Sequence, residues 1–299
     1  MNAICIAVAQ TETDLYNRAQ NVADAVGYIE QAAAQGAHLV CLPETYPGPW
    51  TTPVDYDALP ALSQAAREHD IYVAAGLIEP VAAKPGWYYT SHTLIDNQGQ
   101  TVGTYRRTTP TGPWLYRGSF FWDFDWQEAH EFPVFETDLG KIGMAICSEV
   151  YMPEVSRALA LQGAEIILLP AGVPKGPMWE TWRTLIYARA IENLCFTVTC
   201  QNLFKPGDQG LAMICSPESI LAESIEAGIL VADCDLDRLR QLRNTDDSWD
   251  FPGVKHCKPG IFKQWYRPEL HTRALNEITA GSMVDPVENG GQRLAQFKT

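Results

Sequence analysis

Apolar positions recur along the chain with two spacings, which predict buried strands and amphipathic helices in alternation. Residues 4–10, which are apolar up to Gln10, are typical of a buried strand. Val22, Val26 and Ile29 then follow at three- and four-residue spacing and predict a helix, with Gly36 placed to cap its C-terminus. The same reasoning predicts strands at residues 39–42, 71–78, 91–95, 101–105, 134–137, 141–147, 166–169, 196–200, 211–223 (a pair) and 229–233, helices at 57–69, 153–163 and 178–193, and a short helix near Asp235.

Hairpin turns are mixed with these strand–helix units. Residues 96–99 read Asp-Asn-Gln-Gly, and residues 138–140 read Asp-Leu-Gly; both are typical of turns between adjacent strands. The mixture predicts an α/β fold in which helices cover the outer faces of mixed sheets. No linker or low-complexity tract interrupts residues 1–270, which predicts a single domain. Residues 271–299 show little periodicity and predict a C-terminal tail.

The composition allows a large core and argues against two classes of partner. The chain has 299 residues, of which 46% are hydrophobic. No apolar run reaches the roughly 20 residues that span a bilayer, and the N-terminus lacks the basic region of a signal peptide. The formal net charge of -14 argues against a nucleic-acid or an anionic-membrane partner.

The eight cysteines favour a reducing environment over a metal centre. Most of them lie inside apolar runs, where a thiol packs as a small hydrophobe. None stands in a Cys-x-x-Cys or a Cys/His spacing typical of metal ligands. The sequence therefore predicts a cytoplasmic protein with no metal ion and no other cofactor.

Cys147 follows an apolar run and precedes a predicted helix. Pro153 fits the first turn of that helix, and Glu154 lies near the positive end of its dipole. A thiol at such a junction can be held as a thiolate and presented to a substrate. Alternatively, Cys147 is a small buried hydrophobe, as most free cysteines are.

Two charged residues stand at the ends of other predicted strands. Glu44 follows the strand at 39–42, as a capping group or as a catalytic carboxylate. Arg107 follows the strand at 101–105, as part of a solvated basic turn or as a functional cation. Together with Cys147, three reactive groups lie at strand ends, where α/β enzymes gather their active sites.

Short blocks around these residues resemble, in the expected order, the nitrilase superfamily of carbon–nitrogen hydrolases, and the resemblance covers nearly the whole chain. The blocks are Ala9-Gln10, Leu42-Pro43-Glu44, Gly103-Thr104-Tyr105-Arg106, Gly140-Lys141-Ile142-Gly143 through Ile146-Cys147, Trp179-Glu180 with Ala188-Arg189-Ala190-Ile191-Glu192-Asn193, and Arg267-Pro268-Glu269-Leu270.

The resemblance implies a four-layer type of α-β-β-α sandwich that pairs into a homodimer or a larger homo-oligomer. It also implies a Glu-Lys-Cys triad acting on a small-molecule substrate. Glu44 matches the general base, and Cys147 matches the nucleophile. The predicted function is hydrolysis of a small amide or nitrile through a thioester or thioimidate on Cys147.

The sequence departs from the family pattern at two polar positions. Arg107 occupies the place of the family lysine, an exchange that changes shape and proton chemistry. A second family glutamate commonly stands seven residues later, where this chain has Trp114. Asp123, Asp125 or Glu128 are candidates for the missing carboxylate. The departures also suggest an alternative, in which the protein performs transfer or rearrangement chemistry or binds without catalysis.

Four residues are predicted to bind substrate: Tyr46, Trp114, Glu149 and Trp179. The aromatic rings can line a pocket for an apolar or planar substrate, or they can belong to the core or to a subunit interface. Glu149 resembles the glutamate of the Cys-x-Glu sequence of nitrilases, or it is a charge at a helix start. Arg117 is a candidate partner for a substrate carboxylate, or the member of a surface ion pair.

Overall fold

A computed structural model describes residues 3–50, 54, 56–108, 125–172, 174, 176–244 and 267–279. The strands are β1 (Ala3–Glu12), β2 (Leu39–Cys41), β3 (Tyr72–Pro80), β4 (Trp87–Ile95), β5 (Thr101–Arg106), β6 (Asp125–Trp126), β7 (Val134–Thr137), β8 (Gly140–Met144), β9 (Ile166–Leu168), β10 (Phe196–Thr199), β11 (Asn202–Leu203), β12 (Ala212–Cys215), β13 (Ile220–Ser224) and β14 (Gly228–Asp235). The helices are α1 (Arg18–Ala34), α2 (Leu59–Glu68), α3 (Pro153–Leu161), α4 (Trp179–Asn193), α5 (Leu236–Asn244) and α6 (Pro268–Thr279).

The strands form two mixed sheets, as the sequence predicted. The first has eight strands in the order β11-β1-β2-β3-β4-β5, with β14 also paired to β1 and β6 to β4. The second has six strands in the order β13-β12-β10-β9-β8-β7. Strands β1, β2 and β3 run parallel, as do β8, β9 and β10, and hairpins extend each sheet. The carboxyl ends of the parallel strands therefore meet at one edge of each sheet.

Alternation of side chains along β1 explains how the layers form. Ile6 and Val8 belong to an apolar cluster that joins the two sheets. Ala7 and Ala9 point to the other face and belong to a second cluster, which α1 and α2 complete. Because both faces of the strand are covered, it reads as a continuous apolar run rather than an alternating one.

Helices cover the outer face of each sheet. Ile29 of α1 and Leu62 of α2 are fully buried against the first sheet. Trp182 and Ile186 of α4 and Leu159 of α3 are buried against the second. The order of layers is therefore α-β-β-α, which confirms the predicted fold class.

The structure differs from the predicted elements at two places. Strand β8 ends at Met144 rather than at residue 147, and a 3-10 helix, Cys147–Tyr151, separates it from α3. Helix α6 spans the predicted domain boundary at residue 270, so that boundary stays a prediction.

No helix within the described ranges is long and apolar enough to cross a membrane.

An ion pair ties α5 to the second sheet. The Glu165 carboxylate accepts hydrogen bonds from Arg240 Nε at 2.6 Å, from Arg240 Nη2 at 3.0 Å, and from the backbone N–H of Lys141 at 3.2 Å. Burial of Glu165 acts to raise its pKa, but the hydrogen bonds and charge of Arg240 outweigh burial and lower the pKa below its ordinary value.

Arg240→Gln should lower the free energy of unfolding by about 1–2 kcal/mol at neutral pH, because hydrogen bonds to charged groups contribute on that order. Since the pKa of Glu165 is lower in the folded than in the unfolded protein, the stabilisation exists above about pH 4.3 and is lost as the pH falls through the folded-state value. Urea unfolding of both proteins from about pH 7 to about pH 3 measures this.

Lys141→Gln is the matched control, because it breaks the more exposed ion pair with Glu136 at 2.7 Å. That change should affect stability little. A difference between Arg240→Gln and wild type that stayed constant through the acidic range would contradict the assignment.

Candidate active site

Glu44 reaches the site through the segment that follows β2. Its side chain is 2% exposed. Asn202 Nδ2 donates to the backbone carbonyl of Glu44 at 2.9 Å and to the backbone carbonyl of Gly172 at 3.0 Å. The Asn202 Oδ1 atom accepts from Thr13 Oγ1 at 2.8 Å and from Thr11 Oγ1 at 3.2 Å. One amide therefore joins the ends of β1 and β2 to the segment after β9.

Two glycines make room for this segment. A Cβ at Gly172 would lie 2.5 Å from Glu44 Oε2, and a Cβ at Gly76 would lie 2.2 Å from the Thr45 backbone nitrogen. Thr45 itself has a φ of 53°, a left-handed conformation that is costly for a branched residue. The position of the Glu44 carboxylate thus depends on close packing on both sides.

Arg107 follows β5 directly and pairs with Glu44. Its backbone N–H donates to the Thr90 carbonyl at 2.9 Å. Its Nη1 atom lies 2.9 Å from Glu44 Oε1, with the two side chains 13% and 2% exposed. Such a nearly dry contact fixes the two side chains relative to each other, since each would be costly to bury without the other.

Cys147 opens the 3-10 helix in a strained backbone conformation. Its φ is 54°, and its backbone N–H donates to the Pro170 carbonyl at 2.8 Å. The next residue, Ser148, accepts a hydrogen bond at Oγ from Arg107 Nη2. A continuous set of contacts therefore runs from the Glu44 carboxylate through the Arg107 guanidinium to the residue beside Cys147.

The carboxylate of Glu149 is fully buried and bonded to protein donors. Oε1 accepts from the backbone N–H and the hydroxyl of Thr108, at 2.8 and 2.7 Å. Oε2 accepts from Tyr105 OH and from the Ile146 backbone N–H, both at 2.7 Å. These contacts favour a structural role at the helix start over the predicted contact with substrate.

The predicted aromatic residues do not all gather with these groups. Tyr46 is fully buried in the cluster beneath α1 and α2, 6.4 Å from the Tyr28 ring in an edge-to-face contact, which favours packing. Trp179 is half-buried, and its Nε1 donates to the Gly210 carbonyl at 3.0 Å. Trp114, Arg117 and Asp123 lie outside the described residues.

The two remaining candidates for the missing carboxylate lie near β6. Asp125 is the first residue of that strand. Glu128 is exposed, two residues beyond its end. Within the described part of the chain, no group of three or more His, Cys, Asp or Glu side chains is arranged to hold a metal ion.

The prediction from sequence missed the residues that support these groups. Ser148 and Thr108 are each adjacent in sequence to a predicted catalytic residue, which was the available signal. Asn202 follows β10 closely, but nothing in its own segment pointed to Glu44. As a whole, the arrangement offers a buried carboxylate, a fixed cation and a thiol in a tight turn. These are the groups needed for proton abstraction, anion stabilisation and nucleophilic attack.

Comparison with known proteins gives consistent matches. The family model "Carbon-nitrogen hydrolase" matches residues 5–244. The chain is similar to a deaminated glutathione amidase from Synechocystis, 30% identical over 84% of this chain and 97% of that protein. It is also similar to nitrilase blr3397 of Bradyrhizobium diazoefficiens, 27% identical over 93% of this chain and 96% of that protein.

A solved amidase from Nesterenkonia has the same fold. The structural match covers 91% of this chain and 96% of the amidase chain, with a TM-score of 0.71 and 21% sequence identity. A variant of that amidase shows covalent addition of the acetamide moiety of fluoroacetamide at the active-site cysteine.

Gly172→Ala should displace the Glu44 carboxylate without unfolding the protein, because the new Cβ would lie 2.5 Å from Oε2. A crystal structure of the variant should show the 2.9 Å contact between Glu44 and Arg107 broken or lengthened. Gly27→Ala is the control, since nothing lies within 4 Å of a Cβ there, and it should stabilise α1 by about 0.5–1 kcal/mol. An unchanged Glu44 position in Gly172→Ala would refute the steric argument.

Proposed function

Because the chain belongs to the carbon–nitrogen hydrolase family, we propose that it hydrolyses a small amide or nitrile through a covalent bond to Cys147 Sγ. Members of this family cleave carbon–nitrogen bonds other than peptide bonds, and the chain is a hydrolase of that kind. The observation that supports the proposed chemistry is the run of contacts from Glu44 through Arg107 to Ser148, beside the thiol.

The proposed reaction uses these groups in order. Glu44 takes the thiol proton, and Cys147 Sγ attacks the carbonyl or nitrile carbon. With an amide, the carbon–nitrogen bond breaks, the amine leaves with a proton returned by Glu44, and a thioester remains. With a nitrile, the first product is a thioimidate. Its nitrogen takes the proton held by Glu44, and water deprotonated by Glu44 then attacks the thioimidate carbon, so that ammonia leaves and the same thioester forms. In both cases a further water, deprotonated by Glu44, hydrolyses the thioester, which releases the carboxylic acid and returns the proton to Cys147 Sγ.

Arg107 supplies a fixed positive charge to the anion that forms on the substrate oxygen or nitrogen. A guanidinium stays protonated throughout the working pH range, so it acts as a charge and a hydrogen-bond donor, not as an acid. Its planar shape allows Nη1 to hold Glu44 while Nη2 holds Ser148. In this proposal the arginine takes the role of the family lysine and keeps its contact with the base.

We propose Trp114 and Trp179 as aromatic contacts to substrate. Trp179 is half-buried, and the Arg183 guanidinium lies 5.8 Å from the centre of its ring. Trp114 stands at the family's second glutamate position. The buried positions of Tyr46 and Glu149 support structural roles for those two residues instead.

Ammonia release from a panel of small amides and nitriles tests the proposal. Cys147→Ala should reduce the rate by at least about a thousandfold, as expected when a nucleophile is removed. Glu44→Gln should slow both steps, because the attacking thiol and the hydrolytic water lose the same base, and any covalent adduct on Cys147 that still forms should persist, which the mass of the intact protein shows. Cys215→Ala, which removes a buried thiol in β12, should stay close to wild type.

The arginine at position 107 favours the alternative, in which the protein performs transfer or rearrangement chemistry or binds without catalysis. The same assay separates hydrolysis from that alternative. If wild type gives neither ammonia nor adduct across the panel, hydrolysis is the wrong reaction. Ordinary amidase activity gained by Arg107→Lys would show that the arginine suppresses hydrolysis. Activity lost in Arg107→Lys would show that the arginine serves the native reaction.

We also propose that the chain forms a homodimer through the α3–α4 layer. Four large apolar side chains on these helices or in the short 3-10 turns before them are exposed, and exposed apolar side chains are typical of interaction surfaces. They are Tyr151 at 38%, Leu161 at 48%, Met178 at 47% and Ile191 at 42% exposure. A second copy of the chain would cover this surface, as the family resemblance implies.

Ile191→Asp should shift the protein from dimer to monomer, because a buried carboxylate without a partner is costly at an interface. Leu221→Asp is the control, since Leu221 has similar exposure, 38%, but lies on β13. Light scattering after size-exclusion chromatography measures the mass. A monomeric wild type, or equal behaviour of the two variants, would contradict the proposed interface.

The proposed location is the cytoplasm. Within the described residues seven cysteines are free, and six of them are buried. Burial and packing raise the pKa of the Cys195 and Cys215 thiols to about 12, so both stay protonated at physiological pH. Free thiols, rather than disulfides, among these described cysteines suit a reducing compartment.

A further inference from the structure

The Glu149 carboxylate is a charged group with no exposure to solvent, and its surroundings explain how it is tolerated. Four hydrogen-bond donors surround it, two on each oxygen, at 2.7 to 2.8 Å. Hydrogen bonds of this length to an ionised carboxylate are among the strongest that proteins form. They offset the cost of removing the charge from water.

These donors come from two segments that bear the proposed catalytic residues. Tyr105 and Thr108 lie on either side of Arg107, at the end of β5 in the first sheet. Ile146 lies immediately before Cys147, in the segment that leaves the second sheet. We propose that Glu149 is a positioning residue, which fixes Arg107 relative to Cys147 by joining the two sheets; the inference rests on the proposed function.

The contacts on this side of the site run in register. Arg107 bonds to Ser148, and the next residue, Thr108, bonds to the next residue, Glu149. A displacement of one pair therefore displaces the other. Arg189 supports the far end of the same turn, since its Nη2 donates to the Val150 carbonyl at 2.8 Å.

The charge on Glu149 is required, not merely its shape. An ionised carboxylate accepts hydrogen bonds at both oxygens, whereas the amide of a glutamine would turn an NH2 group toward two donors. Each carboxylate oxygen faces one backbone N–H, that of Thr108 or that of Ile146, which can only donate, so the NH2 group would meet a donor in either orientation. Burial and then the negative charge of Glu149 raise the pKa of Tyr105, so its hydroxyl stays protonated and available to donate throughout the working pH range.

Glu149→Gln should reduce kcat by about 100-fold while KM changes by less than about threefold, because a shift of about 1 Å in a positioning group costs that much. Alkylation of Cys147 by iodoacetamide, followed on its peptide by mass spectrometry, should slow as well. Glu165→Gln is the matched control. Glu165 is also a largely buried carboxylate with several hydrogen-bond donors, but those donors belong to Arg240 and Lys141 rather than to residues of the candidate site. It should lower the melting temperature without changing kcat or alkylation.

A second pair of variants keeps the test valid if Glu149→Gln does not fold. Thr108→Val removes one hydroxyl donor to Glu149 Oε1 and preserves the side-chain shape. Thr108→Ser restores that donor. The valine variant should lose about tenfold in kcat, in line with one hydrogen bond to a charged group, and the serine variant should stay within about twofold of wild type.

Two results would overturn the inference. One is a rise in KM with unchanged kcat in Glu149→Gln, which would mark a direct substrate contact. The other is equal kcat in Thr108→Val and Thr108→Ser.

The alkylation assay separates this inference from the proposed reaction. If wild type releases no ammonia but alkylation of Cys147 slows in Glu149→Gln and Thr108→Val and not in Glu165→Gln, positioning holds and hydrolysis fails. If alkylation is the same in all of these proteins, positioning fails whatever the reaction.

Discussion

The buried ion pair between Glu44 and Arg107 is the interaction on which the rest of the site depends. Two opposite charges lie 2.9 Å apart with little access to water. Removing one partner from such a pair typically costs about 3–5 kcal/mol, because the other charge is left uncompensated. The close glycine at 172, the amide of Asn202 and the hydroxyl of Ser148 all serve to hold this pair in one geometry.

The sequence predicted much of the fold because both faces of most strands are buried. Continuous apolar runs therefore marked the strands, and Pro153 correctly marked the start of α3. The 3-10 turn at Cys147 was not predicted, since its apolar residues continue the run of β8 and no glycine announces its positive φ. Helix α6 was not predicted, although Leu270, Ala274 and Ile278 recur at four-residue spacing, because residues 271–299 as a whole show little periodicity.

The residues of the candidate site were likewise predicted only in part. Strand ends and family blocks pointed to Glu44, Arg107 and Cys147, and the structure joins the first two directly. Sequence spacing could not pair Glu149 with Thr108, 41 residues away, because the contact arises from the packing of one sheet on another. Nor could it place Tyr46, which follows the left-handed Thr45 and packs in the cluster beneath α1 and α2.

Asn202 has a consequence for how this chain can diverge. Its amide uses two donors and one doubly accepting oxygen at once, on the Glu44 and Gly172 carbonyls and on the hydroxyls of Thr11 and Thr13. Among the natural side chains only asparagine and the longer glutamine offer that combination. A substitution at position 202 would therefore lose several hydrogen bonds at once and displace Glu44. Changes in substrate preference are then expected in segments that do not contact this amide.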